Sequence, residues 1–344
     1  MERNREIAKA AEEWAKRHST KRLSFFIQHH PQLPKKHAGV GLARKIGMDE
    51  GCRRLVSVDN EDGVLICFDA DSRCDPNYLV EIEALFREND FCDACSIYFE
   101  HPLDGEEHPP EIYDAITLYE LHLRYFVHAQ RWAGFPLAIQ TIGSSMAARC
   151  RGYQEQNGMN RRKAGEDFYF LHKFTSLLSV ANLNTTRVIP SPRISGRVPF
   201  GTGKAVGDWI AADESRYLTY SPESFQDLRQ FLNHVGDLFT KYPPPDLPPS
   251  IRTFLEHRGF EAHLAEIRRN VSNPGAFVTR FFRWFNAFEV MKFVHHSRDH
   301  YHPNCDVAKA AAWLLGMNSA TPRQLLEELR KRDRTGQVCD PNRP

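Results

Sequence analysis

Apolar positions form short unbroken runs over the first two hundred residues and helical stripes after that. Val64, Leu65, Ile66, Cys67 and Phe68 are one such run of strand formers, the pattern of a strand covered on both faces. "LSFFIQHH" (Leu23 to His30) and "DACSIYFEHP" predict two more strands. Between them the spacing predicts helices over residues 1 to about 20, after the glycine-containing "KKHAGVGLARKIGMDEGCRRL", from about Asn77 to Glu88, and over 111–131. "FPLAIQTIGSSMAARCRGYQEQNGM" reads as a strand, a tight glycine turn and a short helix, and "AGEDFYFLHKFTSL" opens a further helix. "RVIPSPRISGRVPFGTG" reads as a proline- and glycine-rich loop. Strands alternating with helices predict an α/β fold with a mostly parallel sheet.

Beyond about residue 205 the period becomes helical throughout, with "YPPPDLPP" (Tyr242 to Pro249) as a stiff connector. The expected division is an α/β domain over 1–205 and an all-helical region over 206–344.

Composition adds mainly exclusions. The chain is 41% apolar and 26% charged, as in soluble globular proteins, and its net charge of +1 gives no pull toward nucleic acid. Eight scattered cysteines make no disulfide framework, and Cys92 and Cys95 lack the second pair that a zinc ribbon needs. The charged amphipathic start is no signal peptide, and no apolar run approaches the roughly 18 residues of a spanning helix. A reduced, cytoplasmic protein is expected.

Candidate chemistry begins where the Val64–Phe68 run ends, in Asp69 and Asp71. Carboxylates at the carboxyl end of a buried strand stand where open α/β sheets bind ligands. Two so close repel unless something positive separates them, and a hard divalent cation carrying a phosphate does so. Taken singly, Asp69 and Asp71 read equally as turn chemistry, Glu166 and Asp167 as carboxylates favoured in a helix's first turn, and Arg44 as a solvated helix residue.

Taken in order, "GVGLARKIG", "FDAD" and "GSSMAARCRGY…AGEDFYF" resemble the family 2 nucleotide-sugar glycosyltransferases, which have the GT-A fold, over roughly residues 20–205. The resemblance implies a Rossmann-like sheet flanked by helices and inverting transfer of a sugar from a nucleotide-diphosphate donor to a hydroxyl acceptor. It implies that Arg44 and Asp69 contact the nucleotide and that Asp71 ligates Mn²⁺ or Mg²⁺ on the diphosphate. Asp167 would be the general base, Glu166 its neighbour at the acceptor, and Gly143, Ser144 and Ser145 the small residues that admit the sugar. The donor would be UDP-, GDP- or dTDP-linked, and the acceptor a growing surface polysaccharide or glycolipid. Two departures stand out: Ala-Arg-Lys replaces the usual Ala-Arg-Asn at 43–45, and the family's first two strands, which carry much of the base pocket, have no counterpart before residue 20. The chain is thus expected to be incomplete at its N-terminus, leaving "LSFFIQHH" without an obvious ladder partner. The rival readings are a non-catalytic nucleotide- or glycan-binding remnant and a metal-dependent phosphatase with Asp69 as nucleophile. Arg73, where that phosphatase motif wants threonine or valine, argues against the latter.

Three further motifs remain. "GTGKAVG" (Gly201 to Gly207) lacks the order of a phosphate loop, but as an active-site flap it would bring Arg193, Arg197 or Lys204 to a diphosphate. His295, His296, His300, His302 and Cys305 form a cluster that reads first as surface histidines and second as a metal site. The stripe Phe277, Phe281, Trp284, Phe288 reads first as core and second as a peripheral membrane contact that meets a lipid-linked acceptor.

Overall fold

The computed structural model describes residues 2–196, 201–212, 216–241 and 246–341. In chain order the first part holds α1 (Glu2–His18), α2 (Val40–Val56), β1 (Val64–Cys67), β2 (Arg73–Cys74), α3 (Tyr78–Glu88), β3 (Ala94–Phe99) and α4 (Pro110–Trp132). It continues with β4 (Met146–Arg149), α5 (Cys150–Glu155), α6 (Glu166–Thr175), β5 (Val180–Ile189) and α7 (Thr202–Ala212). The remainder is helical apart from a two-stranded ladder of β6 (Leu218–Thr219) and β7 (Cys305–Asp306). Its helices are α8 (Pro222–Leu232), α9 (Pro249–His257), α10 (Phe260–Arg269), α11 (Pro274–Trp284), α12 (Ala287–His300), α13 (Val307–Leu315) and α14 (Pro322–Thr335). Four of the connector residues, 242–245, lie outside the described residues.

The α/β class holds, but the sheet is small and mixed. Its order is β1-β4-β3-β5-β2, and only β3 and β5 pair in parallel. β4 runs backwards between β1 and β3, so the expected mostly parallel sheet is corrected. Alternate residues face opposite layers, as the two-residue period of a strand requires. Leu65, Cys67, Ala94, Met146 and Ala148 pack with Met48 and Cys52 of α2 and Phe170 and Phe174 of α6. Cys95, Ile97 and Ala147 pack with Tyr78, Ile82 and Phe86 of α3. The sheet is therefore covered on both sides.

Three local expectations fail for separate reasons. Leu23–His30 is irregular, with Leu23, Phe26 and Ile27 exposed; no strand among the described residues pairs with it, and a ladder is what makes a strand. Phe26 instead lies under the Arg54 guanidinium, 3.4 Å from its ring centre. "FPLAIQ" is irregular too, and the strand of that segment is Met146–Arg149, after the glycine. β5 runs through Val180–Ile189, so Arg187, Val188 and Ile189 are strand and not part of the expected loop.

The helical layer shares its core with α4. Leu121, Tyr125 and Ala129 of α4 pack with residues of α8, α12, α13 and α14. A buried ionic network ties the same parts together. Arg124 donates to Glu120 (2.7 Å), to Asp333 of α14 and to the Phe99 carbonyl of β3. Arg330 adds a 2.7 Å bond to Glu120, and Arg131 a 2.8 Å bond to Asp333. Burial opposes the charge of Asp333, yet His128, Arg124 and Arg131 together hold its carboxyl well below the usual range. No helix among the described residues is long and apolar enough to cross a membrane.

Candidate functional site

Strand direction gathers the candidate residues. β1, β3 and β5 point the same way, so Asp69 and Asp71 after β1 lie at the same end of the sheet as the segment after β5. Because β4 runs the other way, Gly143 and Ser144, just before it, also arrive at that end. Asp69 and Asp71 sit in a turn closed by Ser72 N–H to the Asp69 carbonyl at 3.0 Å.

Arg44 reaches the site because α2 begins in close contact with the loop before α6. Gly41 N–H donates to the Arg162 carbonyl at 3.1 Å, and a Cβ on Gly41 would lie 2.4 Å from that oxygen. Gly39 is as tightly placed, its Cβ position 2.8 Å from Lys163 Cα. Gly39 and Gly41 of "GVGLARKIG" thus serve backbone contact, while Gly47 has open space around it. One turn on, the Arg44 guanidinium donates to Asp69 Oδ1 at 2.6 Å through Nη2 and to Glu166 Oε1 through Nη1. Gly143 backs this fork: a Cβ there would fall 2.4–2.7 Å from the guanidinium atoms.

Glu166 is buried in the first turn of α6, and Asn160 Nδ2 fixes that turn by donating to the Glu166 carbonyl at 2.8 Å. Asp167 follows, its Oδ1 accepting from Phe168 N–H at 2.7 Å. Burial, and then the adjoining Glu166 charge, push the Asp167 carboxyl up to about 7, with Arg44 pulling the other way. Burial does most to oppose the Arg44 charge, yet the flanking Asp69 and Glu166 leave its pKa raised, so it stays a cation.

Asp71 stands apart from this cluster. Its Oδ2 accepts from Arg193 Nε at 2.5 Å, and both side chains are well exposed. The Arg193 segment is itself anchored, since Ser195 N–H donates to the Gly203 carbonyl at 3.0 Å and a Cβ on Gly203 would strike Ser195. No group of three or more His, Cys, Asp or Glu among the described residues could hold a metal ion. The carboxylate of Asp71 fits one site type only, in which a single protein carboxylate shares the ion with substrate phosphates.

Arg44, Asp69, Glu166 and Asp167 thus come together, Gly143 packs against Arg44, and Asp71 lies beside them with Arg193. Ser144 is buried, as is Ser145, whose carbonyl accepts from Ile97 N–H at 2.8 Å. Lys204 turns within α7 to Asp208 at 2.6 Å, and Arg197 lies outside the described residues. No sequence motif points to Asn160 or to Tyr119 of α4, whose phenol is raised by burial, then Tyr217, then Asp167. Three histidines take separate partners, His295 bonding Tyr220 at 2.8 Å, His296 Thr253 at 3.0 Å and His302 Asp227 at 2.8 Å, while His296 and His300 keep their rings 4.9 Å apart. Phe277 and Phe281 are fully buried in the helical core, and Trp284 and Phe288 are partly buried, as the core reading of the stripe expects. No family model matches the chain, and neither does any curated protein or solved structure.

Proposed function

We propose that this chain is a family 2-like, GT-A glycosyltransferase that moves a sugar from a nucleotide-diphosphate donor to a hydroxyl acceptor with inversion. The observation that carries the reading is the single cluster of Arg44, Asp69 and Glu166, drawn from three distant segments, with Asp167 next to it. These are the positions that the motif order assigns to donor and acceptor. Asp167, with its carboxyl near 7, suits a base that takes the acceptor hydroxyl proton as that oxygen attacks the anomeric carbon. Arg44 holds Glu166 and Asp69 in register, and its planar guanidinium would lie beside the nucleotide. Asp71 would hold the Mn²⁺ or Mg²⁺ of the donor complex, and that ion, when bound, neutralises charge on the departing diphosphate. Surface polysaccharide or glycolipid synthesis is the setting, and eight free thiols fit a cytoplasmic site.

The test is calorimetric titration with UDP, GDP and dTDP, each with and without Mn²⁺, on the parent chain and on Asp71→Ala. Metal-dependent binding of one nucleotide, lost in Asp71→Ala, is expected; folded protein that binds none of the three overturns the reading. A non-catalytic binding role is the second reading, favoured by β1 being a sheet edge, with no further strand among the described residues beside Asp69. Nucleotide binding with no sugar transfer or donor hydrolysis would select it.

A further inference from the structure

Cys52 on α2 and Cys150 at the start of α5 meet across the sheet's α2 face, with their Sγ atoms 3.1 Å apart. Both are held. Cys150 N–H donates to the Gly63 carbonyl at 2.8 Å, and Gln154 Nε2 reaches the Cys150 sulfur at 3.6 Å. Gly51, beside Cys52, lies so near the sheet that a Cβ would stand 2.9 Å from Leu65 Cδ2. The two thiols differ in access. Cys150 is fully buried, whereas Cys52, itself 8% exposed, lies on the wall of an open cleft of about 440 Å³ with Lys45, Asp49, Arg53 and Tyr153.

We propose that Cys52 and Cys150 are a peroxide-sensitive modification site that closes to a disulfide in the folded protein. A disulfide needs sulfurs about 2.05 Å apart, so closure asks for roughly 1 Å of approach between elements already in contact. The chemistry divides between an attacked and a resolving thiol. The Cys52 thiolate attacks one peroxide oxygen, the O–O bond breaks, and Cys52 sulfenic acid forms as hydroxide leaves and takes up a proton to become water. The Cys150 sulfur then displaces the sulfenic oxygen, the S–S bond forms, and a second water departs. Two thiols are oxidised and one peroxide is reduced to two waters. Access assigns the first step to Cys52. Burial, and then the Cys52 neighbour, push the Cys150 thiol up to about 12, which keeps it from reacting first. Closure would pin α2, the helix that bears Arg44, to α5.

The experiment treats the folded, reduced chain with stoichiometric hydrogen peroxide, then unfolds it in alkylating agent and maps its peptides. The expected result is one linked peptide pair containing Cys52 and Cys150, reversed by dithiothreitol, with about two of eight thiols lost. In Cys150→Ser, dimedone should trap a sulfenic acid on Cys52; in Cys52→Ser, Cys150 should stay reduced. Oxidation confined to the exposed Cys74, or a Cys52–Cys150 link that forms only in unfolded protein, overturns the proposal. The parent map decides the matter even where a variant folds poorly.

Discussion

Arg44→Met separates the two ion pairs that one guanidinium makes. Asp69 has a side chain 47% exposed, and Glu166 one 3% exposed. A pair with so exposed a partner contributes about 0–1 kcal/mol, because water and salt screen it. Removing the cation from a buried carboxylate costs about 3–5 kcal/mol, because a desolvated charge is left uncompensated. The loss in Arg44→Met is therefore set by Glu166, whereas Asp69→Asn should lose less than about 1 kcal/mol. At about 2 °C per kcal/mol for a chain of this size, Arg44→Met should melt roughly 6–10 °C below the parent by calorimetry. Arg44→Met with Glu166→Met removes both charges and should recover much of that loss, since apolar replacement of a buried pair is often near neutral. An Asp69→Asn loss equal to that of Arg44→Met, or a double variant as unstable as the sum of its singles, would refute the reasoning.

Further outcomes are expected at three other residues, Asp167, Gly41 and Asp333. Transfer should rise with pH through about 7 as Asp167 ionises, and Asp167→Asn should abolish it in a radiolabelled-donor assay. The stability effect has the opposite sign: the raised carboxyl favours the folded state fully below about pH 4, and that contribution is lost as pH rises through about 7. Asp167→Asn should thus resist urea better than the parent at about pH 8. Gly41→Ala places a methyl 2.4 Å from a backbone oxygen, so α2 must shift; a loss of about 1–3 kcal/mol in urea unfolding is expected. Asp333→Asn leaves Arg124 short of a carboxylate at zero exposure and should cost about 3–5 kcal/mol. Because Asp333 is held below its usual range, that stabilisation is present above about pH 4 and fades under acid, which pH-dependent melting would read.

Much of this was legible where burial and local pattern agree. β1, α3, β3, α4 and the first turn of α6 lie where apolar period and turn residues put them. β4 was not legible, because Met-Ala-Ala-Arg has weak strand propensity and becomes a strand only through its neighbours. Its reversed direction carries no local signal at all. β5 was hidden by Asn182, Asn184, Thr185 and Thr186, polar residues in a half-exposed strand. The opposite error at Leu23–His30 arose because an apolar run records readiness to pair, not a partner. At the site, residue types in order suggested Arg44, Asp69, Glu166 and Asp167, but the Arg193–Asp71 pair depends on how the segment after β5 returns.

The bonds from Arg124 to Asp333 span 209 positions. At a synthesis rate of about 5–20 residues per second, α4 would exist for roughly 10–40 s before its partner helix is made. Through that interval Arg124 and Glu120 are polar groups on a helix whose other residues seek a core. The sheet's Phe99 carbonyl, which Arg124 satisfies, is made before either of them and does not depend on α14. The second carboxylate of Arg124 is what awaits α14, and a nascent chain stalled before it would leave that part of α4 uncovered.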